Sequence, residues 1–418
     1  MAAAEPERLE EPAIDDNERK LMLWLSNISH LANHFQGQMP NALYPVIMKD
    51  LGFGYVQLGI LVALRNGFTS WLQLGYGFVT PFINHCRLLG ITNLLLAVGT
   101  AVTGFTGSFF SFTLARCFAA AGSSAQHPVG ASILATYFPN NRGTVLAMNS
   151  TIASVGNLIA PAVCGILITF IGWREIFWMV AIVSALMGVG YFFFQNRVHR
   201  EIETGPKRAR IAQSMASYWR VAHDRNFLLI GLVFMVGAAG RGGEDIQAYF
   251  STHWVNDLGM ELAYAGFALS LLQVGSLFGP MFFGWLSDRH TRKAVTQVSL
   301  VLSALSTFWL ARQGAANAAL IFNLLFQGAV TSSRGTLTQA IIADNASAQD
   351  QDAAFSIYFF LGFFSTPIWA LVTGFMMEAY EFETMFSILS LSYFAAVLLM
   401  FFVSDPKGTR KVRPTTAS

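Results

Sequence analysis

Gly284-Trp285-Leu286-Ser287-Asp288-Arg289-His290-Thr291-Arg292-Lys293 is a burst of charge set between two long apolar segments. Only 12% of the 418 residues are Asp, Glu, Lys or Arg, against about 25% in an ordinary soluble chain. Ionisable side chains of both signs packed into one short stretch therefore mark a connection just outside a bilayer. The rest of the composition agrees: 54% of residues are hydrophobic and the mean hydropathy is positive. The 37 Phe and 36 Gly suit a chain whose aromatic side chains face lipid and whose helices approach closely.

Working outward from that loop, segments meeting the requirement of about 20 mostly apolar residues for a spanning helix recur along the whole chain. In the first half they are placed at 21–47, 56–79, 88–106, 109–138, 143–170 and 173–194. In the second half they fall at 227–255, 262–286, 294–311, 315–342, 353–377 and 382–403. The fold class this predicts is an all-α membrane protein of twelve transmembrane helices in two six-helix bundles, 21–194 and 227–403. A basic cytosolic linker, 195–226, joins them. An acidic tail, 1–20, and a short tail, 404–418, complete the chain.

With both termini placed in the cytosol, 19 Lys/Arg lie on that side, 3 outside (Lys49, Arg174, Arg312) and 4 within spans, which sets the orientation by the positive-inside rule. The expected location is the cytoplasmic (inner) membrane. The acidic N-terminus has the wrong sign for a secretory leader. Cys86, Cys117 and Cys164 are scattered, with neither metal-ligand spacing nor a pairing framework. The halves also repeat: Asp50-Leu51-Gly52 recurs 207 residues later as Asp257-Leu258-Gly259, and Gly77 maps onto Gly284. An offset of 206 carries Gly156 onto Gly362 and Pro161 onto Pro367.

A charge near the bilayer centre costs at least about 2.5 kcal/mol on insertion scales, so each needs a reason. Six fall inside the spans: Arg65, Arg116, Arg241, Arg334, Glu244 and Asp245. At the offset of 207, His34 maps onto Arg241 and His127 onto Arg334. A guanidinium can hold a carboxylate, phosphate or phosphonate through paired hydrogen bonds, and an imidazole changes charge near neutral pH. A second reading stays open for Arg241, which has Glu244 and Asp245 three and four residues on along the same helix. Those two acids follow Gly240, Gly242 and Gly243, where a loosened helix suits a moving proton site, although simple neutralisation of an arginine fits equally. His30 and His34 share a helix face, but the pair lacks a third ligand in its own span, so no metal or cofactor is expected, while Zn or Fe binding across helices stays open. Nothing has the form of a nucleotide-phosphate loop, which argues against ATP as the energy source and against a primary pump, and no clustered nucleophile and base or metal triad points to an enzyme.

The loop at 284–293, with Asp at +4, Arg at +5 and Arg-Lys at +8 and +9 from Gly284, resembles the loop signature of the major facilitator superfamily of secondary transporters. Thr291 stands where that family has Gly. Arg116-Cys117-Phe118-Ala119-Ala120-Ala121-Gly122 is similar to the family's fourth-helix motif, and Gly156 through Pro161 to Gly165 to its antiporter pattern. His30 to Tyr44, including Gln38, and Gly122-Ser123-Ser124-Ala125-Gln126-His127-Pro128 resemble the fosmidomycin-resistance type of exporter. The resemblance implies that the first, fourth, seventh and tenth helices line a central cavity, bringing His34, His127, Arg241 and Arg334 together. It also implies gating by Asp288, Arg289 and Arg292, with Asp288 against the fifth-helix start near Arg142. In the first-half loop Pro81 and Phe82 replace the acidic and basic positions, leaving Arg87 to pair with Asp350 or Asp352.

The expected function is secondary transport of a small anionic organic solute by alternating access, coupled to protons, with Arg241 and Arg334 on the anion, His34, His127, Gln38, Arg65 and Arg116 completing the site, and Glu244 or Asp245 carrying the proton. A proton-driven exporter of neutral or cationic compounds is the alternative within transporters, and a transport-inactive membrane sensor the alternative outside them. The expected partners are the cargo, protons and lipid, with no nucleic acid, and the expected state is a monomer.

Overall fold

The computed structural model describes residues 15–79, 83–138, 142–194, 207–237, 247–313, 317–347 and 350–404, and among them there is no strand. The helices are α1 Asp16–Leu51, α2 Tyr55–Val79, α3 His85–Thr103, α4 Phe109–Ser123, α5 Gln126–Tyr137, α6 Arg142–Leu167 and α7 Trp173–Phe192. They continue with α8 Lys207–His223, α9 Arg225–Val236, α10 Gln247–Thr252, α11 Leu262–Arg289, α12 Arg292–Leu310, α13 Ala318–Asn345, α14 Gln351–Ala379 and α15 Phe382–Phe401.

Polar side chains fix several ends locally. Asn84 accepts from the Cys86 and Arg87 amides to start α3, Ser108 forms a capping box with Ser111 before α4, and Thr291 caps α12 within the charged loop. Each supplies an acceptor to amides that the first helical turn leaves over. Gly52 and Gly259 sit at φ 66° and 67°, the left-handed region that costs a Cβ-bearing residue energy. The repeat read from the sequence is thus also a repeat of backbone conformation.

Seven helices among the described residues carry a stretch long and apolar enough to cross a membrane: α3, α6, α7, α11, α12, α14 and α15. The long helices α1 and α13 fall short because their inward faces are polar. In α1, Ser26, Asn27, Ser29, His30, Asn33, Gln36, Gln38 and Asn41 are buried. In α13, Asn323, Gln327, Thr331, Ser333, Arg334 and Thr338 are buried.

Contacts divide the chain into two units, Met1–Gly52 with Phe68–Glu203 and Phe53–Gly67 with Thr204–Ser418. In the first unit α1 packs on α5, α6 and α7, while α3 packs on α4, α5 and α7. Met22, Leu89, Val129, Ile133, Tyr137 and Tyr191 belong to its apolar core. In the second unit α11 packs on α13, α12 on α13 and α15, and α9 on α14 and α15. Phe283, Val295, Val330 and Leu337 pack together there. The start of α2 joins this unit through Tyr55, which donates to Asp257 Oδ2 at 2.8 Å.

Two expectations need correction, and one segment gains structure. The fourth span is broken at Ser124–Ala125 into α4 and α5; Pro128 has no amide to donate back to Ser124, which loosens the ladder there. The seventh is also divided. Its first piece, α9, ends at Gly237, whose backbone is extended, and α10 runs into a π-helical segment at His253–Asp257. The polar linker contains a 17-residue helix, α8.

Candidate functional site

In the first unit, His30 and His34 lie one turn apart on α1, and His127 comes to them from the first turn of α5. The three rings stand edge to face, with centroids 4.8, 4.9 and 5.2 Å apart. His30 is buried, while His34 and His127 are half-buried. One nitrogen from each ring lies within 4.8 Å of the others. His127 therefore supplies the third imidazole that the first span by itself lacks.

The tautomer of His30 follows from its neighbours. Asn149 on α6 donates through Nδ2 to Asn27 Oδ1 at 2.8 Å and to the Ser26 carbonyl at 3.4 Å, which turns its Oδ1 toward His30. His30 Nδ1–H donates to that oxygen at 2.6 Å. His30 Nε2 is then a lone-pair acceptor, 3.2 Å from His127 Nδ1. Asn149 was not singled out from the sequence, although an amide inside an apolar fifth span was the available signal.

Further along α1, Gln38 is 2% exposed and accepts from Asn41 Nδ2 at 2.5 Å; its Nε2 has no hydrogen-bond partner among the described residues. Gly156 on α6 allows the close approach of α6 to α1: a Cβ there would run into the Leu31 carbonyl and come within 3.1 Å of Phe35 N and 3.2 Å of His34 Cβ. Pro161 lies inside the same helix. Arg116 is 4% exposed, with its guanidinium carbon 5.4 Å from the Phe177 ring centroid, a cation–π contact that holds it against α7.

In the second unit, Arg334 is 1% exposed in the middle of α13. Its Nη1 donates to the Gly237 carbonyl at 2.6 Å, the carbonyl left over where α9 stops. The rings of Phe234 and Tyr393 lie 5.2 and 5.8 Å from its guanidinium carbon. Gly237 and the carbonyl it leaves without a helical partner were not foreseen, since the seventh span reads as continuous. Arg65 donates through Nε and Nη2 to Asn66 Oδ1 at 3.1 and 3.0 Å. Arg241, Glu244 and Asp245 lie outside the described residues, as do Pro81 and Phe82.

Within the second unit the charged loop is tied down by Arg292 rather than by Asp288. Asp288 is 71% exposed and 3.8 Å from Arg292, whereas Arg292 meets Asp344, at the end of α13, at 2.6 Å with both side chains largely buried. Asp344 lay at the edge of an apolar span, where a single acid gives little warning. Arg289 lies over the Trp285 ring at 3.9 Å. Arg87 is exposed. Of the two acids expected near it, the side chain of Asp352 lies outside the described residues, and Asp350 is engaged by Arg220 of α8 at 2.6 Å, because the linker folds into a helix that brings a guanidinium to it.

That contact has a measurable consequence. The hydrogen bond from Arg220, helped by Ser217 and Ser347, lowers the Asp350 pKa to about 2, below the ordinary carboxylate value. A folded pKa below the unfolded one gives a contribution that is complete above about pH 4 and fades as pH falls toward about 2. Asp350→Asn is expected to lower the thermal midpoint slightly near pH 7, with the gap to wild type closing below pH 4. Parallel melting curves across that range check it.

A model of the Major Facilitator Superfamily matches residues 27–252 and 241–417. The chain belongs to the major facilitator superfamily. It is therefore a multi-pass membrane transporter with the twelve-helix fold of that superfamily, not an enzyme. A Haemophilus influenzae protein named for metabolite transport is 25% identical over 382 residues, 87% of this chain and 90% of that one. The cis,cis-muconate transport protein of Acinetobacter baylyi is 24% identical over 59% of this chain and 61% of its own. The fosmidomycin resistance protein of Escherichia coli is 20% identical over 66% and 67%, in line with the resemblance of the first and fourth spans. The crystal structure of a mutant of the nucleoside transporter NupG superposes with a TM-score of 0.78 at 13% identity, over 92% of this chain and 99% of that one, a likeness of fold.

Proposed function

We propose that this major facilitator protein moves a small organic anion across the inner membrane by alternating access, coupled to protons, as a monomer with both termini in the cytosol. The observation that carries the reading is Arg334. A guanidinium 1% exposed in mid-helix retains its charge at a cost, and in a membrane carrier such a residue marks the cargo or ion path. Arginine presents a planar fork that fits a carboxylate, sulfonate or phosphonate. One relative is named for the transport of cis,cis-muconate, a dicarboxylate, which supports the same class. Gln38, with a buried donor available, together with His34 and His127, adds polar contacts in the first unit. Arg241 would add a second guanidinium to the anion, while Arg65 and Arg116 are held by Asn66 and Phe177 and act mainly as supports.

Glu244 or Asp245 would carry the proton beside Arg241. Gating is assigned to Gly156 and Pro161 in α6, to Arg87, and to the charged loop through Asp288, Arg289 and Arg292, the last secured by Asp344. The domain limits follow the sequence: bundles at 21–194 and 227–403, a linker at 195–226 and tails at 1–20 and 404–418. The excess of Lys and Arg on one side supports the orientation.

Proteoliposomes test the function. Purified protein is expected to accumulate a radiolabelled dicarboxylate such as muconate, a small sulfonate or a phosphonate more strongly when a pH gradient is imposed, and the gain is expected to vanish with a protonophore. Accumulation of cationic compounds alone would overturn the anionic cargo. The relative that confers fosmidomycin resistance favours export as the second reading of direction, and everted vesicles decide between the two.

A further inference from the structure

We propose that His30, His34 and His127 form a binding site for a divalent late first-row transition cation, of which Zn2+ is the reference, within the first unit of this carrier. The inference stands on ring placement and on the hydrogen bond behind His30, and it makes no use of the nature of the cargo.

Geometry comes first. Zinc takes imidazole nitrogens at about 2.0–2.1 Å in tetrahedral array, which places two ligand nitrogens about 3.3 Å apart and the centroids of their rings about 5 Å apart. His30 Nε2 and His127 Nδ1 are already 3.2 Å apart, and the three centroid separations are 4.8, 4.9 and 5.2 Å. The widest spacing among the three donor atoms stays within 4.8 Å, so the third ring closes on a common point by a small rotation about its side-chain torsions.

The surroundings come second. A metal-bound histidine ordinarily donates its other N–H to a neighbouring oxygen, which fixes the tautomer and sharpens the lone pair. His30 has that arrangement without any metal: Nδ1–H is taken by Asn149 Oδ1 at 2.6 Å, and Asn149 is oriented by Asn27 and Ser26. Imidazole donors suit Zn2+, Ni2+ and Cu2+ more than Mg2+ or Ca2+, which prefer oxygen. The half-exposed His34 and His127 leave a side from which the cation enters, and three protein ligands leave a fourth position open to water or to an anionic oxygen.

The ligands come from two helices. His30 and His34 ride on α1 and His127 on α5, with the supporting Asn149 on α6, so a bound cation ties three elements of the unit together. The break between α4 and α5 at Ser124–Ala125 is what gives the first turn of α5 its own direction and points His127 at α1.

The test uses the full-length protein in detergent, free of any polyhistidine tag and stripped with a chelator. Titration with Co2+ is expected to give the visible absorption of a four-coordinate ion that saturates at one equivalent, and Zn2+ is expected to bleach it. His34→Gln and His127→Gln are each expected to abolish the band. Asn149→Leu, which leaves the three ligands in place, is expected to weaken Zn2+ about tenfold. His223→Gln, on the exposed α8, is expected to behave as wild type. Absence of the band in wild-type protein, or a band unchanged in both histidine variants, overturns the site. If one of those variants is not monodisperse, the wild-type spectrum and the Asn149 variant decide. Because the readout is taken without cargo, failure here leaves the anion reading intact, and failure of uptake leaves this site intact.

Discussion

Arg334→Lys is expected to yield a folded, membrane-inserted protein that has lost cargo binding by about ten- to a hundredfold. Charge is preserved in this variant, so the loss isolates geometry. In the wild type one guanidinium nitrogen is committed to the Gly237 carbonyl at 2.6 Å, and the plane of the group is set between Phe234 and Tyr393. That fixes the orientation in which the guanidinium would meet an anionic cargo. An ammonium is a compact point charge with no fork and cannot satisfy the main-chain carbonyl and the cargo at once. Losing a hydrogen bond to a charged group is worth about 1.5–3 kcal/mol, which gives the stated range. Arg334→Ala should lose at least as much and should also lower the thermal midpoint, because the Gly237 carbonyl is left in a dry site. Equilibrium binding of the best anion from the uptake screen, measured on wild type and both variants, reads the effect. Wild-type affinity in Arg334→Lys would remove this residue from the cargo site.

The second large effect is steric. Gly156→Leu is expected to abolish transport and to destabilise the first unit, because the new side chain meets the backbone of α1. The Leu31 carbonyl and Phe35 amide stand in its way, with His34 Cβ behind them. Backbone of a packed helix yields only by moving the whole helix, and overpacking of this kind costs about 1–3 kcal/mol or more. Displacing α1 also displaces His30 and His34. The repeat-related Gly362 gives the contrast: a side chain there meets the ring of Phe234, which can turn away, although Phe234 stacks on Tyr358 at 4.7 Å. Gly362→Leu should therefore be the milder variant. Melting temperatures and initial uptake rates of the pair test the ordering, and equal damage at both positions would show that close approach to the α1 backbone is not what Gly156 provides.

The architecture was legible because bilayer physics writes itself into composition: long apolar runs, charge confined to loops, and a repeat of Asp-Leu-Gly at a fixed offset. What escaped was local or lay between helices. Pro128 breaks the fourth segment one turn upstream of itself, and apolar content does not register that. Gly237 ends α9 within a run that reads as continuous. The histidine cluster was half visible, since the spacing of His30 and His34 announces a shared face while His127 reaches them only through tertiary packing. Arg292 was assigned by its motif to the loop, and its closest acid proved to be Asp344, brought near by helix packing rather than by sequence proximity. In each case the pattern along one helix could be read, and the meeting of two helices could not.

The left-handed glycines at 52 and 259 differ by one degree, yet the aspartates two residues before them keep different company. Asp50 holds Arg174 at 2.6 Å and accepts from Trp173 at 3.1 Å, while Asp257 accepts from Tyr55 and His253. The bend recurs while its surroundings differ, so the turn itself, and not any one ion pair around it, is what both halves require. Each half then anchors its bend with whatever donors its own helices bring within reach.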